Sequence, residues 1–262
     1  MANMTKKNWM IIGVIGAAGF LIALFSALYL LLWAPPGKTD FEHAHTDVEK
    51  LFAAYDKVSD TYAAYQKALT RDNTDPKTEQ SAYDDAKSKV MAGLDTVADT
   101  KALRDQELKK KYDELVQKTD VTFAYTDGFT TYRKVLYNCI DLFSVSKNIV
   151  SEGDFLKNHD AAAKDCTPAL DRLKKSPTKV FADYGKGFSE VVAARRQAFA
   201  DLSKAKIDRA KVLSIMTEQA AKLEKVNAAA ETGISAAFKQ TGTADALKSL
   251  DGALHDRIKR SK

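Results

Sequence analysis

The sequence predicts an all-α protein in which one N-terminal transmembrane helix precedes an elongated antiparallel helical bundle with coiled-coil-like segments. Two observations predict it. The 262 residues include only 12 Gly and 5 Pro, and a chain poor in both residues and rich in Ala, Lys, Leu and Glu favours long helices. Residues 8–36 carry no charged side chain, and about 20 apolar residues in a helix cross a bilayer.

The apolar run is predicted to be an uncleaved membrane anchor over residues 9–33. Trp9 and Trp33, the two tryptophans of the chain, lie at its ends, and tryptophan is enriched at both membrane interfaces. The run also exceeds the apolar core of a signal peptide, which has about 7 to 15 residues. The lipid bilayer is therefore the expected partner of this segment.

Basic residues orient the anchor. Lys6 and Lys7 precede the apolar run, and lysine is enriched on the cytoplasmic side of membrane helices. The expected organisation is a short cytoplasmic tail at 1–8, a linker at 34–40 and an extracytoplasmic helical domain at 41–262. We expect this single-pass protein in the cell (plasma) membrane.

Small residues recur on one side of the anchor. Gly19, Ala23 and Ala27 are spaced four apart, and such spacing allows two transmembrane helices to approach closely. This packing face would allow a homo-oligomer, but small residues are common in membrane helices generally, and that explanation is preferred.

Two cysteines, Cys139 and Cys166, lie at equal distances on either side of the stretch "SEGD". If that stretch joins two antiparallel helices, the cysteines face each other and form a disulfide. Structural disulfides persist in oxidising compartments, so the pair also favours an extracytoplasmic domain. The alternative is two buried free thiols that pack as small apolar groups.

Apolar residues at intervals of three and four predict helices through the rest of the chain. Proline and glycine mark several of the boundaries. The predicted helices run over about 41–69, 76–96, 103–149, 177–239 and 243–262.

The helical region predicted at 177–239, which the sequence does not resolve into one continuous helix or several, carries a coiled-coil-like seam. Apolar residues recur every seventh position from Phe181 and from Tyr184, with polar interruptions at Arg195, Arg209 and Gln219. Such a seam packs either inside the chain's own bundle or against another chain, and the period is the same in both cases.

The charge pattern excludes a nucleic-acid partner. The formal net charge is +5, but opposite signs alternate closely, as in "KALRDQELKKKYDEL". This is typical of a solvated helix surface and differs from a basic stripe that follows phosphates.

No constellation predicts catalysis, a cofactor or a metal site. His43 and His45 are two apart, so on a helix they point in nearly opposite directions and do not share one ion. His159 and His255 are isolated in sequence and are expected on the surface. No nucleophile elbow, P-loop or dinucleotide fingerprint is present, and the protein is not expected to be an enzyme.

The expected function is a structural or protein-interaction module of the cell envelope, with a protein partner or a second copy. The alternative is a ligand-binding accessory or sensor domain that signals through a partner membrane protein. A filled core with an exposed apolar seam would favour the first, and a polar-lined cavity for a small molecule would favour the second.

Overall fold

The structure, a computed structural model, describes residues 35–143, 152–202 and 209–261. These residues form a helical bundle and contain no strand, which confirms the all-α prediction. The α-helices are α1 Lys38–Ala68, α2 Lys77–Ala98, α3 Gln106–Asn138, α4 Glu152–Lys174, α5 Lys179–Leu202, α6 Arg209–Phe238 and α7 Thr243–Arg260, with short 3₁₀ helices at Lys101–Arg104 and Ile140–Leu142.

The predicted anchor lies outside the described residues. This applies to the span 9–33 and to the residues assigned to its interfaces and packing face, namely Lys6, Lys7, Trp9, Trp33, Gly19, Ala23 and Ala27. Among the helices that are described, none combines the length and the apolar character that a bilayer crossing requires.

A first core lies between α1, α2, the N-terminal half of α3, and α7. Leu51, Val90, Leu115 and Leu250, one from each helix, are all at most 1% exposed. Each belongs to an apolar stripe at helical spacing, which explains why these segments fold as helices with one buried face.

Charged residues connect the beginning of α3 to the end of α7. The Asp105 carboxylate accepts hydrogen bonds from the backbone N–H groups of Glu107 and Leu108 and so caps α3. Arg257 donates to Asp105 at 2.8 Å and to Glu107 at 2.8 Å. Its guanidinium lowers the pKa of the Asp105 carboxyl.

A second core lies between the C-terminal half of α3 and helices α4, α5 and α6. Leu173 and Phe181 are fully buried there. Helix α3 runs unbroken through Gly128, where a Cβ would lie 2.3 Å from Cδ2 of Phe181. Glycine is therefore required at this position to let the aromatic ring pack against the α3 backbone.

The end of α3 differs from the prediction. The helix ends at Asn138 and not near residue 149, because the chain tightens into the 3₁₀ helix after Cys139. Leu142 then enters the second core, while Ile140, which continues the three-and-four spacing of apolar residues that predicted this helix, is 47% exposed. The stretch "SEGD" is not a symmetric turn either, since Glu152 already begins α4.

The region 177–239, whose continuity the sequence left open, forms two helices, α5 and α6. They pack antiparallel: the Tyr184 hydroxyl donates to Asn227 Oδ1 at 3.1 Å, and Gly187 lies against Val226. The two halves of the predicted seam therefore face each other within this chain. The connection at 203–208 is outside the described residues.

Candidate functional site

Cys139 and Cys166 form a disulfide, as predicted. Their Cα atoms are 4.7 Å apart, within the range that a disulfide spans, and both side chains are buried in the second core. The bond joins the residue after α3 to the interior of α4. The pairing is confirmed, although it does not arise from the symmetric hairpin that suggested it.

A polar groove of about 410 Å³ lies between α2, α3, α4 and the segment after α1. Three of its charged side chains form ion pairs: Lys134 Nζ is 3.1 Å from Asp75, and Asp127 is 2.7 Å from Lys87. The charged residues that line the groove are Asp75, Asp84, Asp127, Lys134, Asp165 and Arg172. Because its buried polar atoms are paired, the groove alone does not demand a ligand.

A second, mainly apolar furrow of about 460 Å³ runs between α5 and α6. Small residues form it: a Cβ on Gly187 would lie 3.1 Å from Val226, and a Cβ on Gly233 would lie 2.5 Å from Val180. These glycines let α5 and α6 approach closely, and the surface beside their contact is shallow.

Helix α6 is the least enclosed of the long helices in the second core. Its extensive contacts are with α5, with a smaller contact to α3. Among its described side chains only Gln219 and Ala230 are buried, whereas Leu213 is 59% and Phe238 61% exposed. A soluble helix normally buries its apolar stripe, so α6 retains apolar surface that the described chain does not cover.

Three buried polar residues, one from each of α4, α5 and α6, lie at a similar level near one end of the second core. His159 of α4 is 3% exposed, Arg195 of α5 4% and Gln219 of α6 4%, and we call these three residues the polar layer. An ion pair joins Asp160, the residue after His159, to Arg196, the residue after Arg195, so His159 and Arg195 lie at the same level along the packed helices α4 and α5. The antiparallel register of α5 and α6 brings Gln219 level with Arg195.

The polar layer lacks hydrogen bonds that burial normally requires. Nδ1 and Nε2 of His159, Nε of Arg195 and Oε1 of Gln219 are buried without a partner. Buried polar side-chain atoms are mostly hydrogen-bonded in folded proteins. No acidic side chain in the described parts of the chain forms an ion pair with Arg195.

Aromatic rings surround the layer. The Arg195 Cζ atom lies 5.1 Å from the ring centroid of Phe143 and 5.0 Å from that of Phe199. Phe199 also contacts His159, at 5.8 Å between ring centroids, and Phe155, at 5.5 Å. Cation–π contacts stabilise a guanidinium in part, but Nε of Arg195 still lacks a hydrogen-bond partner.

Burial sets the electrostatics of the layer. Desolvation lowers the pKa of Arg195, and it also lowers the pKa of His159. The nearby guanidinium groups of Arg195 and Arg196 act on His159 in the same direction, whereas Asp160 opposes them. The Asp160 carboxylate is 3.6 Å from His159 Nδ1, too long for a hydrogen bond, and is held by Arg196 at 2.8 and 3.0 Å.

Sequence patterns identified two members of this layer and missed the third. Arg195 and Gln219 were the polar interruptions of the predicted seam. His159 was expected on the surface, and this is wrong. The available signal was its position seven residues before Cys166, which places both side chains on the same face of α4.

The histidines near the beginning of α1 do not form a metal site. His45 Nε2 is 3.2 Å from Asp251 of α7, and its Nδ1 is 3.9 Å from Glu49. His43 is exposed, and His255 lies beside the His45 ring at 6.1 Å. Within the described residues, no group of three or more His, Cys, Asp or Glu side chains is arranged to hold a metal ion.

Comparisons with other proteins add no relative. No protein-family model matches the chain, and neither the curated proteins nor the solved structures include a match. The arguments for function therefore depend on the geometry of this chain.

Proposed function

We propose that the protein is a single-pass, membrane-anchored module of the cell envelope whose extracytoplasmic helical bundle binds another protein through α5 and α6. The charge-free run at 9–33 supports the anchor. The disulfide between Cys139 and Cys166 supports an oxidising compartment for the bundle.

The observation that carries this proposal is the uncovered apolar surface of α6. Its exposed Leu213 and Phe238 lie near opposite ends of the 30-residue helix. The furrow between α5 and α6 lies along the C-terminal half of α6, from Val226 to Ala237, at the same end as Phe238. Apolar surface beside a groove of small residues is typical of a site for a second helix.

The partner we expect is an amphipathic helix of another protein. The walls of the furrow include Ala229, Gly233 and Ala236, which allow a helix backbone to approach closely. Lys179 and Asp183 lie at one end, so the edges of the partner helix should be polar while its centre is apolar.

Site-specific photo-cross-linking in intact cells tests the proposal. A photoreactive residue at 213 or 238 should give one discrete adduct, and the same residue at Lys248, exposed on α7, should not. An adduct with the mass of two chains would show that the partner is a second copy of this chain and not a helix of another protein. Equal labelling at all three positions, or none at any, would contradict the proposed surface.

A matched substitution provides a second test. Leu213→Ser with Phe238→Ser should abolish the adduct, while Lys248→Ser should leave it unchanged. Both proteins should keep the wild-type circular dichroism spectrum, because the two apolar side chains are largely exposed. Retention of the chain in the membrane after alkaline carbonate extraction tests the anchor separately.

A ligand-binding accessory or sensor module that signals through a partner membrane protein is the second candidate function. The unpaired atoms of the polar layer specifically favour it.

A further inference from the structure

We propose that the polar layer of His159, Arg195 and Gln219 binds a small organic carboxylate that carries a hydroxyl or amino donor beside the carboxylate. The inference goes beyond the binding of a protein through α5 and α6 and does not depend on it. It rests on three side chains, each more than nine-tenths buried, that carry polar atoms without partners, two of which, His159 and Arg195, contact the same Phe199 ring.

The need for a negative charge comes from Arg195. Its guanidinium is buried, and an unpaired charge in a protein interior is strongly unfavourable. The carboxylate of Asp160, beside His159 on α4, already makes two hydrogen bonds to Arg196. Water could accept a hydrogen bond from Arg195 but carries no charge to balance it.

The donors and acceptors of the three side chains restrict the chemical class of the ligand further. Nε of Arg195 is a donor, and Oε1 of Gln219 is an acceptor. Neutral His159 offers one donor and one acceptor on its two unpaired ring nitrogens. A ligand that satisfies the layer must therefore present acceptor oxygens to Arg195 and a donor to Gln219.

The surroundings limit the size of the ligand. The three polar side chains are at most 4% exposed, and the rings of Phe143 and Phe199 lie close to the guanidinium. A nucleotide, a peptide or a side chain on a folded partner would not reach an interior of this kind. A 2-hydroxy or 2-amino acid with few non-hydrogen atoms offers these acceptors and this donor and is small.

Thermal unfolding of the purified full-length protein tests the proposal with glycolate, acetate and chloride as probes at equal ionic strength. Glycolate should raise Tm in a saturable manner, because a ligand that binds only the folded state stabilises it. Acetate, which lacks the donor, should bind about tenfold more weakly. Chloride should have no saturable effect. Absence of a saturable shift with either carboxylate would overturn the proposal.

Two arginines provide a matched pair of variants. Arg195→Met should abolish the glycolate shift, whereas Arg260→Met, which changes an exposed arginine on α7, should preserve it. An equal glycolate shift in both variants would overturn the site. Titration calorimetry with glycolate should show the same contrast between these variants.

Gln219→Leu separates the two parts of the proposed recognition. This variant should still bind acetate with wild-type affinity, because the interaction with Arg195 remains, but it should lose the preference for glycolate. An unchanged preference for glycolate over acetate would refute the proposal that Gln219 accepts a hydrogen bond from the donor of the ligand. A loss of all carboxylate binding in a variant with wild-type circular dichroism would refute the role of Arg195 as the sufficient anion contact.

Discussion

The disulfide should be a main source of stability for the second core. Replacement of Cys139 and Cys166 by alanine removes a link between residues 27 apart in sequence. A closed loop of this length lowers the entropy of the unfolded chain, and the chain-entropy relation gives a stabilisation of about 3.5 kcal/mol at room temperature. A loss of that size is large relative to the stability of about 5–15 kcal/mol that is usual for a folded domain.

The loss of stability should be confined to the second core. Both cysteines lie in the second core, so amide hydrogen exchange should accelerate most in α4, α5 and α6. Helices α1, α2 and α7 pack around the first core and should retain their protection, since local stability follows the contacts of each unit.

Urea unfolding of a fragment covering residues 35–262 measures the magnitude. The double alanine variant should lose about 3–4 kcal/mol relative to oxidised wild type, and reductant should destabilise wild type but not the variant. A difference below about 1 kcal/mol would refute the loop-entropy argument. In native membranes, the wild-type thiols should react with an alkylating reagent only after reduction, and ready labelling without reductant would refute the bond itself.

Two further predictions concern packing and pH, both measured on the same fragment. Gly128→Ala should destabilise the fragment by about 1–3 kcal/mol because the added methyl group meets the Phe181 ring. The control Gly252→Ala, with open space around the glycine, should stabilise the fragment by about 0.5–1 kcal/mol. Equal effects of the two substitutions would contradict the close contact at Gly128. Burial lowers the pKa of His159, so the unfolded chain binds the proton more readily and stability should fall as pH drops below about 6.5. His159→Phe should flatten this fall and His255→Gln should not; parallel pH curves for wild type and His159→Phe would exclude His159 as the cause.

Helical periodicity was sufficient to predict much of the fold. In α1, Val48, Leu51, Val58 and Tyr65 are all buried, as their spacing predicts, because an isolated amphipathic helix must cover one apolar face. The same reasoning predicted α2 and α7. These helices begin or end near proline or glycine, so their boundaries also have a local chemical cause.

Periodicity could not reveal where the chain reverses. The segment 200–212 contains neither glycine nor proline, and the seam keeps its apolar spacing on both sides of it. One continuous helix and two antiparallel helices therefore share the same pattern, and only contacts such as that between Tyr184 and Asn227 distinguish them. The early end of α3 was hidden for a similar reason, because Leu136 and Ile140 fit the helical stripe but are exposed.

The polar layer shows why a candidate site was harder to predict than the helices. A polar residue in an apolar seam either meets a polar partner, which fixes the register of the helices, or remains available for another molecule. Sequence spacing cannot separate these cases because His159, Arg195 and Gln219 belong to three different helices and meet only after folding. If they paired with one another, their donors and acceptors would be satisfied and the layer would explain only the register. Their unpaired atoms and the commitment of Asp160 to Arg196 instead favour recognition of a separate anion.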